Sequence, residues 1–295
     1  MKILHVGDRA GVAGCLAKFQ RKLGHFVELV GPEYDYMDGL RQKSFYNLRV
    51  VSPVFRRFAR FGFVGDLFRF VQRKVALLVY YVVVGWYSRN FDFVHVHSDW
   101  KVALFIRKPK LVEFHGSELR GFPVVVGKRE RLLTKLFLRV FGGKYRFAVS
   151  TPDLQKLLPQ ALYLPNPVDT DHFKKDSIGV SNHSNKALYF KNKYESSDRA
   201  MILADVKGLS LCILERGKDH VDFADMPKFL SLFKYFIDRH EIKSLSKTAL
   251  EALWVGCKVI DYKGQILEGL PREHEPLLVA LHSEVYYNWI LGGCF

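Results

Sequence analysis

Ser246-Lys247-Thr248-Ala249-Leu250-Glu251-Ala252-Leu253-Trp254-Val255-Gly256-Cys257-Lys258-Val259-Ile260 is the stretch on which the reading of this chain turns. Ser246 can cap a helix, and the strong helix formers Ala249, Leu250, Glu251, Ala252 and Leu253 follow it. Gly256 can end that helix in a left-handed turn, and Lys258-Val259-Ile260-Asp261 reads as a short buried strand. A helix that opens with outward amides, hydroxyls at Ser246 and Thr248 and the cation of Lys247 suits a phosphate. Glu251 lies one turn after Lys247 on the same face, where a carboxylate can accept hydrogen bonds from ribose hydroxyls. Together these residues read as the wall of a nucleotide-sugar pocket.

Outward from this stretch, strand and helix alternate. In the C-terminal half the pattern predicts strands over 187–190, 209–214, 234–237 and 258–261, with helices over 197–206, 227–233 and 248–255. A last helix is predicted over 274–290. The N-terminal half predicts strands over 3–6, 26–30, 91–96, 110–114 and 147–150, with helices over 14–23 and 128–141. Such alternation implies parallel sheets with helices on both faces. Ligands of these sheets bind at the carboxyl ends of the strands, where Gly7, His97, His115 and Ser150 fall.

At 295 residues the chain has room for two domains, each able to bury a core. Cys15, Cys212, Cys257 and Cys294 are widely spaced with no Cys-x-x-Cys pair, which suggests neither a zinc site nor a disulfide framework and fits a reducing cytoplasm. Met1 to Val6 runs straight into a glycine turn and reads as a first strand, not a leader. The longest apolar run, 75–87, falls short of a membrane span. Charge is segregated: residues 1–170 hold 28 basic against 13 acidic residues, while residues 171–295 hold 17 of each. The formal excess of +15 therefore lies wholly in the first part, which points to an anionic partner for that part alone.

A second segment, Leu162-Tyr163-Leu164-Pro165-Asn166-Pro167-Val168-Asp169-Thr170-Asp171-His172-Phe173, is a strand followed by a proline-braced crossing. With the Leu250-Glu251-Ala252 helix it resembles the family 4 retaining glycosyltransferases of GT-B fold. The resemblance continues, in the family's order, at Gly11-Val12-Ala13-Gly14 with Leu23-Gly24-His25, at Val94-His95-Val96-His97, and at Glu113-Phe114-His115-Gly116-Ser117-Glu118. It implies an α/β, GT-B architecture: two Rossmann-like domains with parallel sheets facing a central cleft. Residues 1–165 would be the acceptor side and 166–295 the donor side, the last helix crossing back onto the first. It implies a metal-independent hexosyltransferase using a nucleotide-sugar as co-substrate, with no bound cofactor.

Residue by residue, the resemblance puts His115 near the reacting centre and Lys247, Thr248 and Glu251 on the donor. Gly11 and Gly14 flank a loop where backbone amides can approach a phosphate, with Arg9 adding a cation; a tight strand-to-helix turn is the bland reading. His97 and Asp99 are candidates for acceptor hydroxyls, while His95 reads as packing. Asn166 and Asp169 read as organisers of the hinge, and Asp169-Thr170-Asp171 as part of it and not a metal site. The family's glutamate eight positions before Glu251 is Lys243 here, and its Arg–Lys pair for the diphosphate has only Lys191, Lys193 and Arg216 as counterparts. Lys243 cannot accept bonds from sugar hydroxyls, since an ammonium only donates, but it can pair with an acidic sugar or the diphosphate.

Residues 41–74 hold nine basic residues, among them Arg56, Arg57, Arg60, Arg69, Arg73 and Lys74, against the single acid Asp66. Phe55, Phe58, Phe61, Phe63, Phe68 and Phe70 interleave them. Basic and aromatic residues on one segment fit an anionic membrane interface, a single-stranded nucleic acid, or a helix pair with a solvated basic face. The membrane reading is preferred, with a lipid-linked acceptor, no nucleic-acid partner and a peripheral place at the cytoplasmic face. Alternative readings are an inactive sugar-nucleotide-binding module, for which Lys243 speaks, and a sugar-nucleotide epimerase of the same fold.

Overall fold

A computed structural model describes residues 1–7, 11–31, 62–120, 128–142, 145–173, 185–191, 196–215, 218–240 and 242–271, with backbone alone at 62–73, 117–118 and 128–131. Chain contacts divide it into two compact units, Met1–His115 with Leu136–Ala148, and Gly116–Lys135 with Val149–Phe295.

Up to Tyr163 the elements run β1 (Lys2–Val6), α1 (Val12–Lys22), β2 (Phe26–Val30), α2 (Gly62–Tyr87), β3 (Phe93–His97), β4 (Lys110–Phe114), α3 (Ser117–Arg120), α4 (Lys128–Phe141), β5 (Arg146–Val149), α5 (Pro152–Leu157) and β6 (Leu162–Tyr163). Their strands form one sheet of order β2-β1-β3-β4-β5-β6. β1 pairs in parallel with both β2 and β3, and β3 with β4. Central strands of such a sheet are covered on both faces, which is why Ile3, Leu4, Val94, Val96, Leu111 and Val112 are buried without alternation. Trp100 stacks on Phe137 with ring centroids 4.4 Å apart, and Phe137 meets Phe147 edge-on, closing the apolar layer over β5.

From Lys186 onward the elements are β7 (Lys186–Lys191), α6 (Asp198–Val206), β8 (Ser210–Glu215), α7 (Met226–Leu230), β9 (Tyr235–Ile237), α8 (Lys247–Val255), β10 (Lys258–Ile260) and β11 (Ile266–Leu267). The second sheet has the order β11-β10-β9-β7-β8. β7, β8, β9 and β10 are mutually parallel where they pair, and β11 closes the edge antiparallel. Its core gathers Leu188, Leu230, Leu245, Leu250, Leu253 and Val259 around α8. Cys257 lies in this core; burial pushes its thiol up to about 12, so it packs as an inert apolar group. Cys15, Cys212 and Cys257 are unbridged.

The predicted bounds of β2, β4 and α4 coincide with those observed, and the other predicted elements shift by at most a few residues at each end. The helix predicted over 274–290 lies outside the described residues. Four elements, α2, α3, α5 and β11, were not anticipated. Gly62–Tyr87 is a single helix of 26 residues that takes in the apolar run and the end of the basic segment. Pro152–Leu157 is a short helix with Pro152 in its first turn, a position proline favours because its missing N–H has no helical partner there. Among the described residues no helix is long and apolar enough to cross a membrane.

Candidate functional site

In the second unit, α8 has the ends its sequence specifies. Ser246 is the N-cap, its Oγ accepting from the Ala249 amide at 3.1 Å. Gly256 is the left-handed C-cap at φ 108°, a conformation that would strain a side-chain-bearing residue. Just ahead of the helix, the Asp238 carboxylate at the end of β9 accepts from the Ser246 amide at 2.8 Å. Burial raises the Asp238 pKa against the pull of Arg239, and among the described residues its Oδ1 has no hydrogen-bond partner. Asp238 therefore fixes the chain's entry to α8, a role no spacing in the sequence announced.

Lys247 and Glu251 face each other along α8, Nζ to Oε1 at 3.4 Å, with only 8% of each side chain exposed. The i, i+4 spacing sets the two on one face, whereas their burial depends on the residues that surround α8. Thr248 is half-buried beside them, Lys191 is half-buried at the end of β7, and Lys243 is exposed between buried Ile242 and Ser244. Lys193 and Arg216 lie outside the described residues. At the crossing, the Asp169 carboxylate accepts from the amides of Asp171 and His172, both at 3.2 Å, so the Asp-x-Asp triplet spends its first carboxylate on the turn.

A third constellation joins Arg120 to the start of α5. Its guanidinium donates to both Asp153 oxygens, at 2.6 and 2.9 Å, and to Thr151 Oγ1 at 2.6 Å. Burial opposes ionisation of Asp153, but the Arg120 fork and Thr151 outweigh it and hold the carboxyl at about 2.

In the first unit, the carboxyl edge of the sheet holds a cluster that the sequence showed only in part. Parallel register sets His5 beside His95 and His97 beside Glu113. Residues two apart on a strand share a face, so His95 with His97, and Glu113 with His115, project to one side. The rings link in series: Gln20 Oε1 lies 2.7 Å from His5 Nε2, His5 Nδ1 lies 2.9 Å from His97 Nε2, and His97 Nδ1 lies 3.1 Å from His115 Nε2. Glu113 Oε2 has His95 Nε2, His97 Nδ1 and His115 Nε2 at 3.0, 3.4 and 3.7 Å, none of them aligned as a hydrogen bond. Burial drives the His5 and His97 pKa values down to about 3 and that of His95 to about 4, so all three are neutral. Burial alone would raise the Glu113 carboxyl, yet His115, His95 and His97 together hold it well below its ordinary range. Two sets, His5–His95–His97 and His97–Glu113–His115, bring ligand-capable atoms within 4.8 Å of one another.

His115 thus stands at the sheet edge with a tenth of its side chain exposed, while His97 is engaged inside the cluster. Asp99 accepts from Tyr81 Oη at 3.1 Å. Gly11 opens α1 in the left-handed region and Gly14 is buried within it; Arg9 is outside the described residues. Gly7 is also left-handed, and a Cβ there would sit 3.0 Å from the His97 carbonyl oxygen. Arg56, Arg57 and Arg60 are outside the described residues, Arg69 and Arg73 fall on α2, and Lys74 is exposed on it.

No protein-family model matches the chain, and no curated protein matches it in sequence. Solved structures do match in shape. The catalytic domain of starch synthase IV from Arabidopsis thaliana, bound to ADP and acarbose, superposes with a TM-score of 0.50 at 13% identity over 88% of this chain and 82% of that one. Sucrose-phosphate synthase from Thermosynechococcus elongatus gives 0.50 at 12% identity over 88% and 81%. The fold is GT-B. Its two mainly parallel sheets carry α8 in one unit and the histidine cluster in the other, each at the end where such sheets receive ligands.

Proposed function

We propose that this protein is a glycosyltransferase that moves a sugar from a nucleotide-sugar to an acceptor. The carrying observation is the start of α8: a capped helix N-terminus beside a buried Lys247–Glu251 pair, in a GT-B fold. A neighbour of that fold is bound to ADP, which supports a nucleotide here. In this reading Thr248 and the first amides of α8 receive the diphosphate, with Lys247 as cation and Lys191, Lys193, Arg216 and Lys243 as further candidates. Glu251 accepts from the ribose while oriented by Lys247. The first unit takes the acceptor near Gly11, Gly14 and Asp99.

Transfer proceeds with retention, as the sequence resemblance implies. The leaving phosphate accepts the acceptor's proton, helix-terminal amides and basic side chains hold its growing charge, and His115 lines the reacting centre. No step is routed through a metal. The acceptor is lipid-linked and the protein peripheral at the cytoplasmic membrane face, in the service of glycan assembly. α2 supports this: Val75, Leu78, Val79, Val82 and Trp86 recur at helical spacing and are all exposed, Trp86 at 64%, just after Arg69, Arg73 and Lys74.

A panel of UDP-, GDP- and ADP-sugars tested by thermal shift decides the reading. One class should raise the melting temperature, and Glu251→Gln, shown folded by circular dichroism, should lose most of that shift. No shift with any nucleotide or nucleotide-sugar at millimolar concentration would overturn the assignment. The exposed Lys243 favours a second reading, a donor-binding module without turnover. That reading predicts the thermal shift but no release of nucleoside diphosphate with any acceptor lipid.

A further inference from the structure

The histidine cluster shares only His115 with the sugar-transfer reading, and its contacts are explained by neither donor nor acceptor. Where Gln20 Oε1 accepts from His5 Nε2, a His5 ring carrying one proton keeps a lone pair on Nδ1. His97 Nε2 then donates to His5 Nδ1, which leaves a lone pair on His97 Nδ1 as well. His97 Nδ1 and the Glu113 Oε2 oxygen lie 3.4 Å apart, and His115 Nε2 is 3.1 Å from the former and 3.7 Å from the latter. A proton on His115 Nε2 can serve only one of them, and Glu113 Oε2 receives no aligned hydrogen bond from any imidazole around it. Glu113 is buried to within 1% of full enclosure, where an acceptor without a well-placed partner is costly. His115 Nδ1 is likewise buried and has no hydrogen-bond partner among the described residues.

We propose that His97 Nδ1, Glu113 Oε2 and His115 Nε2 form a divalent-cation site, suited first to Zn²⁺, at the carboxyl ends of β3 and β4. The three atoms lie 3.1, 3.4 and 3.7 Å apart. Ligands held ~2.1 Å from one tetrahedral ion stand about 3.4 Å from each other, so an ion fits their common point with only small adjustments of the side chains. Two imidazoles and one carboxylate suit a first-row divalent ion and leave a fourth position for water.

The surroundings fit as well. A ligating histidine commonly donates its other N–H to an acceptor that fixes the ring, and His97 does this through His5 to Gln20. His97 and Glu113 sit opposite each other on paired strands, so the ligand spacing is set by the sheet rather than by a loop. The ion would tie β3 to β4 and hold the His115 ring. No metal is evident from the sequence, because the His-x-His and Glu-x-His pairs become one constellation only when β3 and β4 are neighbours.

The test uses the full chain, stripped with chelator and titrated with Zn²⁺ and Co²⁺. One equivalent should bind, Co²⁺ should give the intense visible bands of a tetrahedral site, and Zn²⁺ should raise the melting temperature. His115→Ala and Glu113→Gln should each weaken Zn²⁺ binding by more than about 100-fold, and His5→Phe by about 10- to 100-fold. His220→Ala, at an exposed imidazole paired with Asp222, should change nothing. Variants are compared only where circular dichroism shows native structure; if none qualifies, the Co²⁺ spectrum and stoichiometry of the parent decide. No stoichiometric uptake by the folded parent, a Co²⁺ spectrum lacking tetrahedral bands, or unchanged affinity in folded His115→Ala would overturn the proposal.

Discussion

Removing the Glu251 carboxylate strips the Lys247 ammonium, 3.4 Å away and 8% exposed, of the charge it faces. Glu251→Ala should therefore cost about 3 kcal/mol in urea unfolding, the usual penalty for orphaning a buried charge. The double replacement Lys247→Met with Glu251→Leu should recover most of that loss; a single variant as stable as the parent would mean that the pair opens to water in solution. This is why Glu251→Gln, which keeps shape and hydrogen bonding, is the proper probe of donor binding. Asp153 offers a second test. Folding lowers its pKa from 3.8 to about 2, so its contribution is complete above the unfolded value and vanishes as pH falls through about 2. The shift corresponds to about 2 kcal/mol. Chemical unfolding between pH 5 and 2 should lose that much stability in the parent and correspondingly less in Asp153→Asn. Equal slopes in both proteins would sink the assignment to the Arg120 fork.

Elements were legible where local chemistry alone sets them. Ser246 and Gly256 mark both ends of α8 because capping is decided within one turn. Ser246→Ala should accordingly cost about 1 kcal/mol, read by chemical unfolding, and Ser246→Asp should restore most of it. A neutral Ser246→Ala would imply that Asp238, through the Ser246 amide, already fixes the helix start. α2 was less legible because its first half is basic and Phe-rich and its second nearly all apolar, so no single stripe marks one helix of 26 residues. The cluster was legible by halves. Period two placed His95 with His97, but which strand lies beside which is a property of the sheet. Sequence order gives β1, β2, β3; the sheet sets β1 between β2 and β3, and only that brings His5 to His95. The Lys247–Glu251 spacing was readable in the same way, whereas its burial depends on the residues that surround α8.

Across the whole molecule formal charge concentrates before residue 171, and so, among the described residues, does exposed apolar surface. The formal excess of +15 lies there, and so does the stripe from Val75 to Trp86. Either feature alone has an ordinary explanation, since basic faces are usually solvated and scattered apolar residues are normal on surfaces. Their adjacency is what suits an anionic membrane interface, where cations meet headgroups and the apolar stripe enters the acyl boundary. The two contributions separate by salt. The screening length falls from ~10 Å at 0.1 M to ~3 Å at 1 M, so high salt should release the protein from anionic vesicles while leaving weak residual binding through α2. Each basic residue near such a surface adds about 1 kcal/mol, so neutralising Arg56, Arg57 and Arg60 together should weaken vesicle binding roughly 100-fold. Replacing Val82 and Trp86 with serine should instead remove the salt-resistant part. Sedimentation with vesicles of anionic and of zwitterionic lipid measures both. Equal binding to the two lipids, or none to either, would assign the basic segment to a solvated face and leave the lipid-linked acceptor without support.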